Sequence, residues 1–147
     1  MGFKAPIKRN FMSNIRVNLE SAQVTEGQGG LEGKFELRIQ VQEGNRQVVW
    51  PSLNSSASVD QNGAPYTINR SIGIYPVTSG TLSKKFTIDV TEVDKGTMGQ
   101  DDYGQGSVTL DLAPNMKPQT EYVTISLKRP NMQYQGKVKV GISAQVA

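Results

Sequence analysis

Apolar residues alternate with polar ones along most of this chain, and that period of two limits its fold more than any other feature. Ile15, Val17 and Leu19 alternate with Arg16 and Asn18, and Phe35, Leu37, Ile39 and Val41 with Glu36, Arg38 and Gln40. The same pattern runs through Phe86, Ile88 and Val90, then Val108, Leu110 and Leu112, then Val123, Ile125 and Leu127, then Val138, Val140 and Ile142. Successive side chains on a strand point to opposite faces, so each run buries one face and wets the other. Two shorter strands are expected over 47–50, stopped by Pro51, and over 68–74, where Gly73 marks a bulge or a close backbone approach. Trp50 belongs to the core. Gly, Asn and Pro punctuate the runs at Gln61-Asn62-Gly63, Ser79-Gly80, Pro114-Asn115 and Pro130-Asn131, and no long window carries a capped 3.6 period. The expected fold is therefore all-β, an antiparallel eight-stranded β-sandwich.

A length of 147 residues suits one domain, and an apolar content of 36% suits a thin two-layer structure. The sandwich is expected over 14–147, after a flexible basic arm at 1–13 that carries Lys4, Lys8 and Arg9. The N-terminus has charge without an apolar stretch after it, so it does not read as a secretory signal. Pro6 stands where the myristoylation pattern wants Ser or Thr. No apolar run is long enough to span a bilayer as a helix. With no cysteine there is no disulfide framework and no thiolate metal site, and a cytoplasmic location, with peripheral attachment to membrane, is expected.

The lack of both His and Cys removes the usual nucleophile–base pairs and His-based metal sites, so a non-enzyme is expected. What remains is a carboxylate cluster. An alternating strand runs into Glu92 and Asp94, spaced i, i+2. A short loop then returns through Asp101 and Asp102 to Tyr103, Gly104 and the next strand. Carboxylates so placed lean over one loop and could offer oxygens to a hard cation such as calcium, which wants about 6–8 of them.

This stretch resembles the sixth strand, third calcium-binding loop and seventh strand of a C2 domain. The family pattern there is V-W-D-x-D, a loop, then D-x-x-G-E-x-S-I-x-L. Glu92 and Asp94 take the places of the first two acids, Asp101 the closing one, and Gly104, Gln105, Ser107, Val108 and Leu110 continue the pattern. Asn14 to Ala22 is similar to the family's first strand, and the stretch from Glu121 to Ala144 to its closing hairpin. In the first calcium loop, Gly33-Lys34-Phe35 stands where the family has D-P-Y, so a carboxylate is missing and a cation sits beside the gap. The resemblance implies a C2-like sandwich that docks on a phospholipid membrane or a protein partner. Glu92, Asp94, Asp101 and Asp102 are its candidate calcium ligands, and Met98 at the loop apex its candidate for insertion.

Basic residues offer a second route to an anionic phospholipid membrane. Lys84 and Lys85 enter one strand, while Lys137 and Lys139 share a face of the last. Lysines on a wet edge strand also serve simply to block aggregation. Arg38 and Arg46 are expected near each other on the second and third strands. The net charge of +3 is modest, and without an interleaved aromatic and basic stripe in the sequence no nucleic acid is expected. The alternative, from another class, is a structural subunit of a scaffold, shell or tube whose sheet edges build an oligomer.

Overall fold

The computed structural model describes residues 12–27, 33–61, 63–94, 100–131 and 133–147. The expected basic arm, apart from Met12 and Ser13, lies outside the described residues, as does Met98. Nine strands are present among them: β1 (Ser13–Glu26), β2 (Lys34–Glu43), β3 (Arg46–Trp50), β4 (Ala57–Asp60), β5 (Tyr66–Val77), β6 (Leu82–Glu92), β7 (Asp102–Leu112), β8 (Gln119–Lys128) and β9 (Tyr134–Val146). Eight were expected, and all eight exist. The ninth is β4, which pairs with the start of β2 and buries Val59 alone. A four-residue strand with one apolar anchor leaves no readable alternation.

The strands pair antiparallel in the order β3-β2-β6-β7-β8-β9-β1-β5, with β4 also on β2. Two halves can be told apart. β6 and β7 pair along eleven residues, and β8, β9, β1 and β5 over ladders of nine or ten, but β7 meets β8 at one pair, Tyr103 with Lys128. There the sheet folds over. Gly104 and Gly106 make this possible: a Cβ on Gly104 would lie 2.4 Å from the Ser126 carbonyl oxygen, and one on Gly106 2.9 Å from Ile125. At the other margin Trp50 of β3 packs on Tyr66 of β5, with ring centroids 5.5 Å apart, and Tyr75 of β5 meets Phe86 of β6 edge to face at 6.1 Å. Arg70 donates to the Val49 and Pro51 carbonyls, and Arg46 to that of Ile74, so β3 and β5 are stitched together.

The inward faces of both halves form one apolar core that includes Ile15, Leu19, Phe35, Leu37, Ile39, Phe86, Ile88, Leu110, Ile125, Leu127 and Ile142. Phe86 and its aliphatic neighbours are fully buried, each side chain contributing about 1.5–3 kcal/mol relative to exposure. Trp50 is buried as expected, and Tyr75 is core as well. A bulge falls at Ile72, beside Gly73: Val17 pairs with Gly73 and Asn18 with Ser71. Among the described residues no helix is long and apolar enough to cross a membrane.

Candidate functional site

The end of the sandwich that carries the acidic loop is assembled from several strand ends. Leu37 of β2 pairs with Glu92 of β6, which pairs in turn with Asp102 of β7. The Val93 N–H donates to the Glu36 carbonyl at 2.7 Å, and that of Gln61 to Gly33 at 2.8 Å, so the segments before β2, after β4 and after β6 lie together.

Glu92 and Asp102 face each other on the core side of their strands. Asp102 is buried, 1% exposed, and accepts a hydrogen bond from Arg129 Nε at 3.2 Å. Burial of Glu92, its hydrogen bond with Asp102, and the charges of Asp102, Asp94 and Asp101 push its carboxyl up to about 8 from an ordinary 4.5. Glu92 thus keeps its proton to a higher pH than a solvated carboxyl would, beside the arginine-bound Asp102. Asp101 uses Oδ1 to accept the Asp94 N–H at 2.9 Å, so it caps the strand end. The four carboxylates do gather at one place, yet Arg129, which has no mark in the local sequence, sits among them. Among the described residues no group of three or more His, Cys, Asp or Glu side chains is arranged to hold a metal ion.

The lysines fall differently from one another. Lys84 and Lys85 are adjacent on β6 and so point to opposite faces; Lys84 lies 3.9 Å from Glu43 and beside the Tyr75 ring. Arg38 donates to the Ser55 carbonyl while Arg46 stacks on Tyr75, so these two arginines are not one patch. Lys137 and Lys139 share the outer face of β9, which is an inner strand flanked by β8 and β1 and therefore not an edge needing protection. Lys137 lies 3.7 Å from Glu26, and Lys139 Nζ sits 4.6 Å from the Tyr122 ring centroid.

Strand pairing adds residues that the linear sequence keeps apart. Lys128 ends β8, and its neighbours across the strands are Tyr103 of β7 and Tyr134 of β9. Tyr103, Tyr122 and Tyr134 are all exposed, at 52%, 54% and 43%. Lys128, Lys137, Lys139, Tyr122 and Tyr134 thus share the outer surface of β8 and β9, with Thr124 and Ser126 between them and Tyr103 at the fold to β7. Glu26 is the acid at its border. Partial desolvation, then the hydrogen bond to Glu26 and its charge, push the Tyr134 hydroxyl up to about 12.

The class this geometry defines is an antiparallel β-sandwich with an acidic loop end and a basic, aromatic sheet face. No family model matches the chain, and no curated protein matches it. Among solved structures it is similar to the calcium-bound C2 domains A and B of extended synaptotagmin 2. That similarity is 18% in identity with a TM-score of 0.46, and covers 91% of this chain and 45% of that one. It is also similar to C2 domain A of a plant extended synaptotagmin 1, at 12% identity and a TM-score of 0.36, covering 92% of this chain and 95% of that one. This chain spans less than half of the first structure's length. Both are distant similarities, and what the chain does has to be read from its own side chains.

Proposed function

We propose that this chain is a non-catalytic module that docks on anionic phospholipid membranes through the outer face of β8 and β9, with Tyr103 at the fold to β7 on its border, without calcium. The lysine–tyrosine surface carries this conclusion. Lys128, Lys137 and Lys139 attract anionic headgroups at roughly 1 kcal/mol each, and exposed tyrosines suit the headgroup level, with an apolar ring and a polar tip. A face built on paired strands is also rigid, so little conformational freedom is lost on docking.

The acidic loop supports independence from calcium. A calcium ligand set needs ionised oxygens facing a common point, and its affinity follows ligand charge and rigidity. Asp102 is bonded to Arg129, burial and its acidic neighbours push Glu92 toward its protonated form, and Asp101 caps a backbone N–H. Those residues do not fit the cation. The sheet edges, on which an assembly role would depend, are partly engaged by Arg46 and Arg70.

Co-sedimentation with vesicles of phosphatidylserine and phosphatidylcholine tests the proposal. Binding is expected with anionic vesicles, unchanged by calcium or chelator and weakened by salt. Changing Lys128, Lys137 and Lys139 together to Glu removes about 3 kcal/mol or more, at least a hundredfold in affinity. Absence of binding at low salt, a requirement for calcium lost in Asp94→Asn with Asp101→Asn, or tighter binding to an oligothymidine than to vesicles would each overturn it.

A further inference from the structure

At the far end of the same sheet face, roughly 30 Å along β8 from Lys128, the surface is concave and of a different chemistry. A cleft of about 300 Å³ opens there, and the side chains that matter in it are Asn18, Glu20, Asn69, Gln119, Thr120 and Ser143.

Broken register makes the cleft. Leu19 pairs with Ile142 of β9 and Arg70 of β5, while Ser21 pairs with Gly141 and Thr67. Glu20 is therefore an extra residue in β1 against β9. In the same interval β5 has Ile68 and Asn69, the latter at φ 52°. A bulge re-aims a side chain, and a non-glycine residue in the left-handed region is found where the surroundings hold it. Both irregular residues, Glu20 and Asn69, line the cleft.

Its polar groups are oriented, and one is unsatisfied. Asn18 Nδ2 donates to Asn69 Oδ1 at 3.0 Å, whereas Asn18 Oδ1 is buried with no hydrogen-bond partner among the described residues. A buried acceptor without a partner costs about 1–3 kcal/mol, which a donor arriving nearby can relieve after a small shift of the amide. Ser143 Oγ donates to Glu20 Oε2 at 2.9 Å, fixing that carboxylate. Among the described residues no cation lines the cleft, and the ionisable group there is an acid, so phosphate and carboxylate ligands are disfavoured. Amides, hydroxyls and a carboxylate side by side match vicinal hydroxyl groups, which both donate and accept.

An aromatic platform lies one row away. Tyr122 pairs with Gly141, and a Cβ on Gly141 would come 2.9 Å from Tyr122 Cε1, so the glycine lets the ring settle on the sheet. We infer that the cleft and the Tyr122 ring bind a neutral oligosaccharide, one sugar hydrogen-bonded among Asn18, Glu20, Asn69 and Ser143 and a neighbouring sugar stacked on the ring. The volume sits at the small end for ligand sites and suits a single ring, with the remainder of a chain lying along the face.

Titration of the ¹⁵N-labelled chain with cellohexaose, maltohexaose, xylohexaose and mannohexaose to about 10 mM, past millimolar affinity, tests this. At least one sugar is expected to shift the amides of Asn18, Thr120, Ser143 and Tyr122. Tyr122→Ala and Glu20→Ala should each weaken binding about tenfold while leaving the rest of the spectrum folded. Lys137→Glu, which weakens the membrane interaction, should leave sugar binding unchanged. Lys139, which sits over the ring, must move aside, so Lys139→Ala should hold or strengthen it. No shift at those positions with any of the four sugars, or binding untouched by both Tyr122→Ala and Glu20→Ala, overturns the inference.

Discussion

Replacing Arg129 by Met should destabilise this domain by about 3 kcal/mol, more than a residue with a third of its side chain exposed would ordinarily cost. The reason is what it leaves behind. Asp102 is 1% exposed and takes its charge-assisted hydrogen bond from Arg129 Nε at 3.2 Å. Removing one partner of a buried pair costs roughly 3–5 kcal/mol, because the other charge stays buried and unpaired. The low end applies because Arg129 reaches solvent and because the Glu92 carboxyl still hydrogen-bonds Asp102. Asp102→Asn should cost less, about 1–2 kcal/mol, since the guanidinium left over can hydrate. The double variant should then be no worse than Arg129→Met alone, giving a coupling of about 1–2 kcal/mol. Urea unfolding followed by circular dichroism measures all three, and the Arg129→Met loss corresponds to a Tm drop of roughly 6–12 °C at this size. A loss below about 1 kcal/mol, or strictly additive effects, would refute the claim that Arg129 compensates a buried charge.

Glu92 gives stability a pH dependence of opposite sign to that of a salt-bridged acid. Its folded value of about 8 lies above the ordinary 4.5, so the fold favours the protonated form; that contribution is complete below about 4.5 and is lost as pH rises through 8. A shift of this size would amount to about 5 kcal/mol if fully felt, and roughly 1–2 after discounting for the half-exposed carboxyl. Urea midpoints should thus fall from about pH 5 to 9 in the native chain and stay flatter in Glu92→Gln, with equal slopes in both refuting the assignment. Gly104→Val should cost about 3 kcal/mol or prevent folding, because its Cβ meets the Ser126 carbonyl oxygen at 2.4 Å, backbone that cannot turn aside; a native-like Tm would count against the close approach. Phe86→Ala, which empties a fully buried ring, should cost about 3–5 kcal/mol in the same assay.

The strands were legible because burial on one face writes itself into every second residue, and from Ile15 to Ile142 most inward positions are apolar, Glu92 and Asp102 being exceptions. β4 was not, since Val59 alone cannot make a period. The acidic loop was legible as a cluster, because Glu92 and Asp102 are held by two strands close in sequence. Its electrostatic character was not, because the deciding residue, Arg129, arrives from the β8–β9 turn. Lys84 and Lys85, adjacent in sequence, point to opposite faces of their strand and so do not form one patch by adjacency. Of the lysine–tyrosine surface only the shared face of Lys137 and Lys139 was legible, since Lys128, Tyr103 and Tyr134 become neighbours only once β7, β8 and β9 pair. The same holds for the cleft, whose Glu20 and Asn69 are ordinary polar residues until register shifts aim them.

The two outer faces of the sandwich differ in how their charges are spent. On the β2–β6–β7 side Arg38 is bonded to the Ser55 carbonyl, Glu36 accepts from Ser56 and Ser58, and Asp89 accepts from Gln105 at 2.8 Å. Those groups hold loops and neighbouring strands in place. On the β8–β9–β1 side Lys139 lies on a tyrosine ring and Lys137 beside an acid that is itself half exposed. Exposed ion pairs and ring contacts of this kind are worth about 1 kcal/mol or less, so giving them up to a ligand costs the fold little. The side chains least committed to the fold are therefore on the β8–β9–β1 face, which supports the docking proposed there. The acidic loop is the opposite case: Asp102 is buried and bonded to Arg129 at 3.2 Å, so turning its carboxylate elsewhere would give up that pair.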